Sequence, residues 1–244
     1  MRHRLATIFI GPILLLQGRR VRRTVPLLPE AEGPREGVSG FGPPLRLLVL
    51  GDSAAAGVGA PTQADALAGQ LVEALSASFQ VRWKLIARTG TTTQTALEQL
   101  REIEGQAFDV VVTSLGVNDV TSGRPLDGWR CLQGELVELL RSKFRAQHVL
   151  LSGLPPMHKF PALPQPLRWY IGSRAKQFDS ALEALARARP GCEFVKLAYA
   201  MDACDMAADG FHPGPAIYAL WGVDAARRIT ARRLAAEAGF ENRP

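Results

Sequence analysis

A serine hydroxyl is a weak nucleophile. It does chemistry only when a base takes its proton and fixed donors hold the charge that develops. Gly51-Asp52-Ser53 offers such a serine, at the end of the apolar run Leu45-Arg46-Leu47-Leu48-Val49-Leu50. Four histidines are available to serve it: His3, His148, His158 and His212. His3 lies in a basic leader, His148 at the start of a predicted strand, and His158 in a proline-rich loop. Only His212 has a carboxylate three residues upstream, in Asp209-Gly210-Phe211-His212-Pro213. That spacing lets Asp209 hold the ring in one tautomer and stabilise the imidazolium. The backbone N–H groups of Ser53 and Gly90 and the side-chain amide of Asn118 can supply three donors to an oxyanion. The chemistry this set allows is acyl transfer through Ser53, His212 and Asp209.

Each piece also has a plainer explanation. Gly-Asp-Ser and Asp-Gly are common turn sequences, and Gly90 is a turn glycine in its own right. Asn118-Asp119 can cap a helix, and His212 can precede one without any chemistry. What favours the functional reading is placement. Gly51–Ser53, Arg88–Thr91 and Gly116–Asp119 each follow a predicted strand, and Asp209–Pro213 immediately precedes a helix. In a parallel sheet such loops open on one edge, where they can converge on one crevice.

The elements that must position them alternate. Predicted strands cover Leu45–Leu50, Val81–Ala87, Phe108–Leu115, His148–Gly153 and Cys192–Leu197. Predicted helices cover Ala66–Ala77, Thr95 to about Ile103, Asp127–Phe144, about Arg168–Arg189, and Pro213 to about Ala238. Thr62 and Thr95 are the expected helix-capping residues. Phe108–Leu115 is apolar and β-branched on both faces, as a central parallel strand should be. The pattern predicts an α/β fold with a parallel sheet covered on both sides. Residues 24–44 carry five prolines (Pro26, Pro29, Pro34, Pro43, Pro44) and four glycines (Gly33, Gly37, Gly40, Gly42), and read as an irregular connector. The expected division is therefore a leader and connector over 1–44 and a catalytic domain over 45–244.

Four blocks resemble the SGNH (GDSL) hydrolase superfamily. The serine block is Leu48-Val49-Leu50-Gly51-Asp52-Ser53-Ala54-Ala55, with Ala54 in place of the name-giving leucine. The glycine block falls on Gly90. Gly116-Val117-Asn118-Asp119 and Asp209-Gly210-Phe211-His212-Pro213 match in full. Gly-x-Ser-x-Gly is absent, because Ala55 takes its last position, which argues against an α/β-hydrolase elbow. The resemblance runs from about Leu45 to Ala238. It implies a flavodoxin-like, three-layer α/β/α fold with about five parallel strands. It further implies Ser53 as nucleophile, His212 as base, Asp209 as orienting acid, and Ser53, Gly90 and Asn118 as the oxyanion hole. Leu28-Pro29-Glu30 and the loop from Leu154 look most like the bacterial esterase/lipase branch, which includes acyl-thioester hydrolases.

Substrate and location are read from the remaining segments. Leu154–Pro166 is stiff and apolar, and Met157, Phe160, Leu163 and Trp169 are offered as an acyl-chain wall. The same loop could instead cover the sheet edge with a small core of its own. The net charge of +6 is concentrated in Arg2, Arg4, Arg19, Arg20, Arg22 and Arg23 and in Arg227, Arg228, Arg232 and Arg233. No basic stripe is interleaved with aromatic residues, so a solvated surface is expected rather than nucleic-acid binding. Cys131, Cys192 and Cys204 form no C-x-x-C pair, and neither a metal nor a cofactor is expected. The apolar run Leu5–Leu16 is too short to span a bilayer, which takes about 20 residues. Flanked by arginines and lacking a small-x-small cleavage site, it suggests core docking or peripheral membrane contact through residues 1–23. The expected location is cytoplasmic or peripheral to the inner membrane, ahead of export. Three readings follow: an ester or thioester hydrolase, a carbohydrate O-acetylesterase with the same triad, and a non-catalytic flavodoxin-like binding module.

Overall fold

The computed structural model describes residues 2–197 and 204–241; the side chains of residues 2–9, part of the basic leader, and of 236–241 lie outside the described residues. Six strands form one sheet: β1 (Glu36–Ser39), β2 (Pro44–Gly51), β3 (Gln80–Ala87), β4 (Val110–Ser114), β5 (His148–Ser152) and β6 (Cys192–Val195). Their order is β1-β3-β2-β4-β5-β6, with β1 antiparallel on the edge and the other five parallel. That parallel order is the flavodoxin-like one, and its switch point lies between β2 and β4.

The sheet is buried on both faces. Leu45, Leu47 and Val49 of β2 face α2 (Leu67–Ser76) and α7 (Pro215–Glu241). Leu48 and Leu50 face α3 (Thr93–Glu102), α5 (Leu126–Ser142) and α6 (Leu167–Arg187). The helices present matching stripes: Leu67, Leu71, Val72 and Leu75 on α2, and Ala96, Leu97 and Leu100 on α3. Near the N-terminal end of the sheet, Arg46 of β2 grips Asp109 beside β4, Nη2 to Oδ1 at 2.7 Å and Nε to Oδ2 at 3.1 Å.

Four local expectations change. Glu36–Ser39, inside the presumed irregular connector, is a strand, because the edge of β3 supplies backbone partners that its own weak propensity does not require. The first capping box does not form: Thr62 Oγ1 donates to Asp65 Oδ2 within a turn, and α2 starts later with no side-chain cap. On α3 the cap is Thr92, paired reciprocally with Thr95, so the helix begins two residues before the predicted start. The last helix begins at Pro215 rather than Pro213. A short helix α4 (Val117–Thr121) also follows β4, and the leader forms α1 (Arg2–Thr24), which packs on α6.

Candidate active site

Register explains why three loops meet. Gly51, the last residue of β2, is paired with Ala87 of β3 on one side and Ser114 of β4 on the other. The loops carrying Ser53, Gly90 and Asn118 therefore leave three adjacent strands at one level, across the switch point. The Ser53 turn is held tightly. The Asp52 N–H donates to the Ser114 carbonyl at 3.1 Å, and the Val58 N–H to the Ser53 carbonyl at 3.0 Å. The Tyr218 hydroxyl of α7 donates to the Val58 carbonyl at 2.7 Å. At Gly59 φ is +99°, and a Cβ there would lie 2.2 Å from the Pro213 carbonyl. Only glycine allows the serine loop and the histidine loop to approach so closely.

The histidine loop folds on itself. Asp209 Oδ1 accepts the N–H groups of Phe211 and His212, both at 2.9 Å. Its Oδ2 lies 2.5 Å from His212 Nδ1, and His212 Nε2 lies 2.8 Å from Ser53 Oγ. The Asp209 side chain is buried, so desolvation acts against its charge. The hydrogen bonds from His212 and Phe211 and the nearby imidazole outweigh that and hold its carboxyl below the usual carboxylate range. An ionised Asp209 fixes Nδ1 as the protonated nitrogen and leaves Nε2 to accept from Ser53.

The other two predicted residues lie on neighbouring loops joined through Thr91. Asn118 Nδ2 donates to the Thr91 carbonyl at 2.9 Å, which leaves its second N–H for another acceptor. Gly90 sits beside Thr91 at φ +84° with open space where a side chain would project. Behind Asn118, Asp119 is fully buried; its Oδ2 accepts the Thr93 N–H at 3.0 Å and the Thr93 hydroxyl at 2.9 Å. Thr93 Oγ1 in turn accepts from Trp129 Nε1 and Gln133 Nε2. This network anchors the asparagine's helix to α3 and α5.

A pocket of about 620 Å³, including its mouth, opens beside Ser53 and His212. Its walls are mostly apolar: Leu115, Leu154, Phe160, Leu197, Ile217 and Trp221. Of the four residues offered as an acyl wall, Phe160 lines it. Met157 and Leu163 are buried in the core instead, and Trp169, 44% exposed on the first turn of α6, is not part of the lining. The Pro-rich segment thus puts Phe160 on the pocket wall and buries Met157 and Leu163 in the core. Phe160 stacks edge-on against Phe211 at 5.0 Å, while Met157 and Leu163 fill the space beneath.

Two further residues shape the site, although sequence reading assigns neither of them a role. Asp52 is fully buried at the pocket wall, where burial raises its pKa to about 6 against the opposing Ala54 N–H, the His212 charge and the Ser114 hydroxyl. Glu30, in the connector, accepts the Thr89 N–H at 2.7 Å and the Thr89 hydroxyl at 2.8 Å through Oε1, and binds Arg35 through Oε2 at 3.0 Å. It braces the loop that carries Gly90. In the sequence Glu30 stands out only within Leu28-Pro29-Glu30, as part of a resemblance and with no role attached. Among the described residues, no cluster of three or more His, Cys, Asp or Glu side chains is arranged to hold a metal ion.

Comparison with known proteins bears on the family and the fold. The family model of GDSL-like lipases/acylhydrolases matches residues 49–220. A GDSL-like esterase of Mycobacterium tuberculosis is 27% identical, over 88% of this chain and 75% of the relative. Among solved structures, the psychrotrophic esterase EstA of a Pseudoalteromonas species superposes with a TM-score of 0.58 at 21% identity, over 78% of this chain and 98% of that one. The acetylxylan esterase Axe2 of Geobacillus stearothermophilus does so with a TM-score of 0.56 at 18% identity, over 77% and 94%. At these identities the two structures speak for the shared fold.

Proposed function

The chain belongs to the GDSL-like lipase/acylhydrolase family and is an ester hydrolase, and from there we propose that it cleaves carboxylic esters or thioesters of apolar acids through an acyl-enzyme on Ser53. The observation that carries this reading is the unbroken hydrogen-bonded chain from Asp209 through His212 to Ser53 Oγ. As Ser53 Oγ attacks the carbonyl carbon, its proton passes to His212 Nε2, and Asp209 stabilises the imidazolium. The carbonyl oxygen takes up the electron pair and is held by the Ser53 and Gly90 N–H groups and the free amide N–H of Asn118. When the tetrahedral species collapses, the alcohol or thiol leaves with the proton from Nε2. Water then repeats the sequence on the acyl-enzyme, giving its proton to His212 and releasing the acid.

The pocket wall supports an acyl rather than a sugar occupant. Its polar members near the serine are Asp52, Ser53, Ser114 and His212, too few to match a carbohydrate's hydroxyls. The test is a p-nitrophenyl ester series of rising chain length, run with wild type and Ser53→Ala. Activity peaking at C6 or longer and lost in the variant supports the proposal. A peak at acetyl, the group an acetylxylan esterase such as Axe2 removes, supports a carbohydrate O-acetylesterase. Full activity in Ser53→Ala sinks both. Failure of a fluorophosphonate probe to label Ser53 would point to the binding-module reading.

A further inference from the structure

We propose that α1 is an interfacial helix that seats this enzyme on an anionic lipid bilayer. The helix meets the rest of the molecule along one stripe. Ile10, Leu14 and Val21 pack on the core, and Gln17 between them bonds to the start of α6. Gln17 Nε2 donates to the Gln165 carbonyl at 2.6 Å, and its Oε1 accepts the Leu167 N–H at 3.0 Å. The outward face is apolar first and basic afterwards. Ile13, Leu15 and Leu16 are 48%, 64% and 64% exposed. Arg19, Arg20, Arg22 and Arg23 follow within two turns, all exposed.

Nothing in α1 balances that charge. The helix contains no aspartate or glutamate. Among the described residues none of the four arginines takes part in a salt bridge. Exposed leucine and isoleucine beside uncompensated arginines complement a surface that is apolar in depth and anionic at its headgroups. Among the described residues no helix is long and apolar enough to cross a membrane, so the geometry is that of lying on a bilayer rather than spanning it. The Gln17 bonds join α1 to the end of the segment that brings Phe160 to the pocket wall. A docked enzyme therefore holds its acyl pocket one loop away from lipid. That consequence rests on the acyl-hydrolase reading, whereas the docking itself does not.

The full chain is sedimented with vesicles of phosphatidylcholine, with and without phosphatidylglycerol, at low and high salt. Expected is binding to the phosphatidylglycerol vesicles that weakens with salt. Arg19→Gln/Arg20→Gln should lose about fivefold in affinity per arginine removed, as for one basic group at an anionic surface. Leu15→Glu/Leu16→Glu should abolish binding. Both variants keep wild-type hydrolysis of a short soluble ester, which reports their folding, and lose hydrolysis of an ester dissolved in the vesicles. Absent binding by wild type, or binding that both variants retain, overturns the proposal. So does resistance to alkaline carbonate, which marks a spanning anchor. A dimer in solution that Leu15→Glu/Leu16→Glu disperses overturns it as well, by naming a second copy as the occupant. If the soluble ester is never cleaved, the acyl-hydrolase reading fails while sedimentation still decides the docking.

Discussion

At Asn118 one side chain is asked to do two things. One amide N–H holds the Thr91 carbonyl, and in the proposed mechanism the other binds the oxyanion. Asn118→Ala should lower kcat by about 10² to 10³ with little change in KM, since the donor acts on the tetrahedral species more than on bound ester; steady-state kinetics on a p-nitrophenyl ester would show it. Asp52 makes a different kind of statement, about pH. Its carboxyl is raised by burial to about 6. Below about pH 4 it is protonated in both the folded and unfolded chain and contributes nothing. Between about pH 4 and 6 the unfolded chain gives up the proton first, so stability falls as pH rises. Above 6 the full penalty stands, on the order of 3 kcal/mol at 1.36 kcal/mol per unit. Asp52→Asn keeps an oxygen for the Ala54 N–H and should be more stable than wild type at pH 8 but not at pH 4. Urea midpoints at the two pH values would decide it.

Elements hold these residues through contacts that span the sheet. Helix α4 is a turn and a half long and cannot be stable alone. Its Asp119 hooks it to Thr93, and Trp129 and Gln133 close the network. Asp119→Ala leaves the Thr93 N–H unpaired in a buried site and should cost about 2 to 3 kcal/mol. Activity should fall with it, because Asn118 moves with the helix; chemical denaturation and kcat are the two readouts. Glu30 gives the contrasting case. It is partly exposed, so Glu30→Ala should change global stability by less than about 1 kcal/mol. It should still lower kcat by about 10-fold or more through the loosened Thr89–Gly90 loop.

At the scale of the whole molecule, the two ends of the sheet carry separate charge systems. The C-terminal end holds Ser53, His212 and Asp209, the proposed triad. The opposite end buries His148, whose Nε2 lies 3.1 Å from Glu193 Oε2, while Arg228 donates to Glu193 Oε1 at 2.8 Å. Burial, helped by the charge of Arg232, holds the His148 imidazole well below its usual pKa, against the opposing pull of Glu193. The ring is neutral in the fold but protonates in the unfolded chain as pH drops below about 6.5. Its contribution to stability is therefore complete above that pH and is lost as pH falls. This sign is opposite to that of Asp52. His148→Gln should flatten the fall of the urea midpoint between pH 7 and pH 5.

The parts legible from the amino-acid order are those whose physics is local. Asp209 and His212 are three residues apart, so one loop suffices to join them. The apolar runs of β2, β4 and β5 are buried on both faces, so composition alone marks them as parallel strands. The 3.6-residue stripes of α3 and α5 announce which side packs. What tertiary structure decided is whatever needs distant segments in register. Ser53 meets His212 across 159 positions because Gly59 lets two loops touch and Tyr218 ties α7 to the first of them. Ile217, Leu197 and Leu154 share a pocket wall although one comes from α7 and the others from the loops after β6 and β5. The strand β1 exists because β3 offers it hydrogen bonds, and Glu30 reaches Thr89 because that strand ties down the connector. A residue's type states what it can do locally; only packing states which partner it meets.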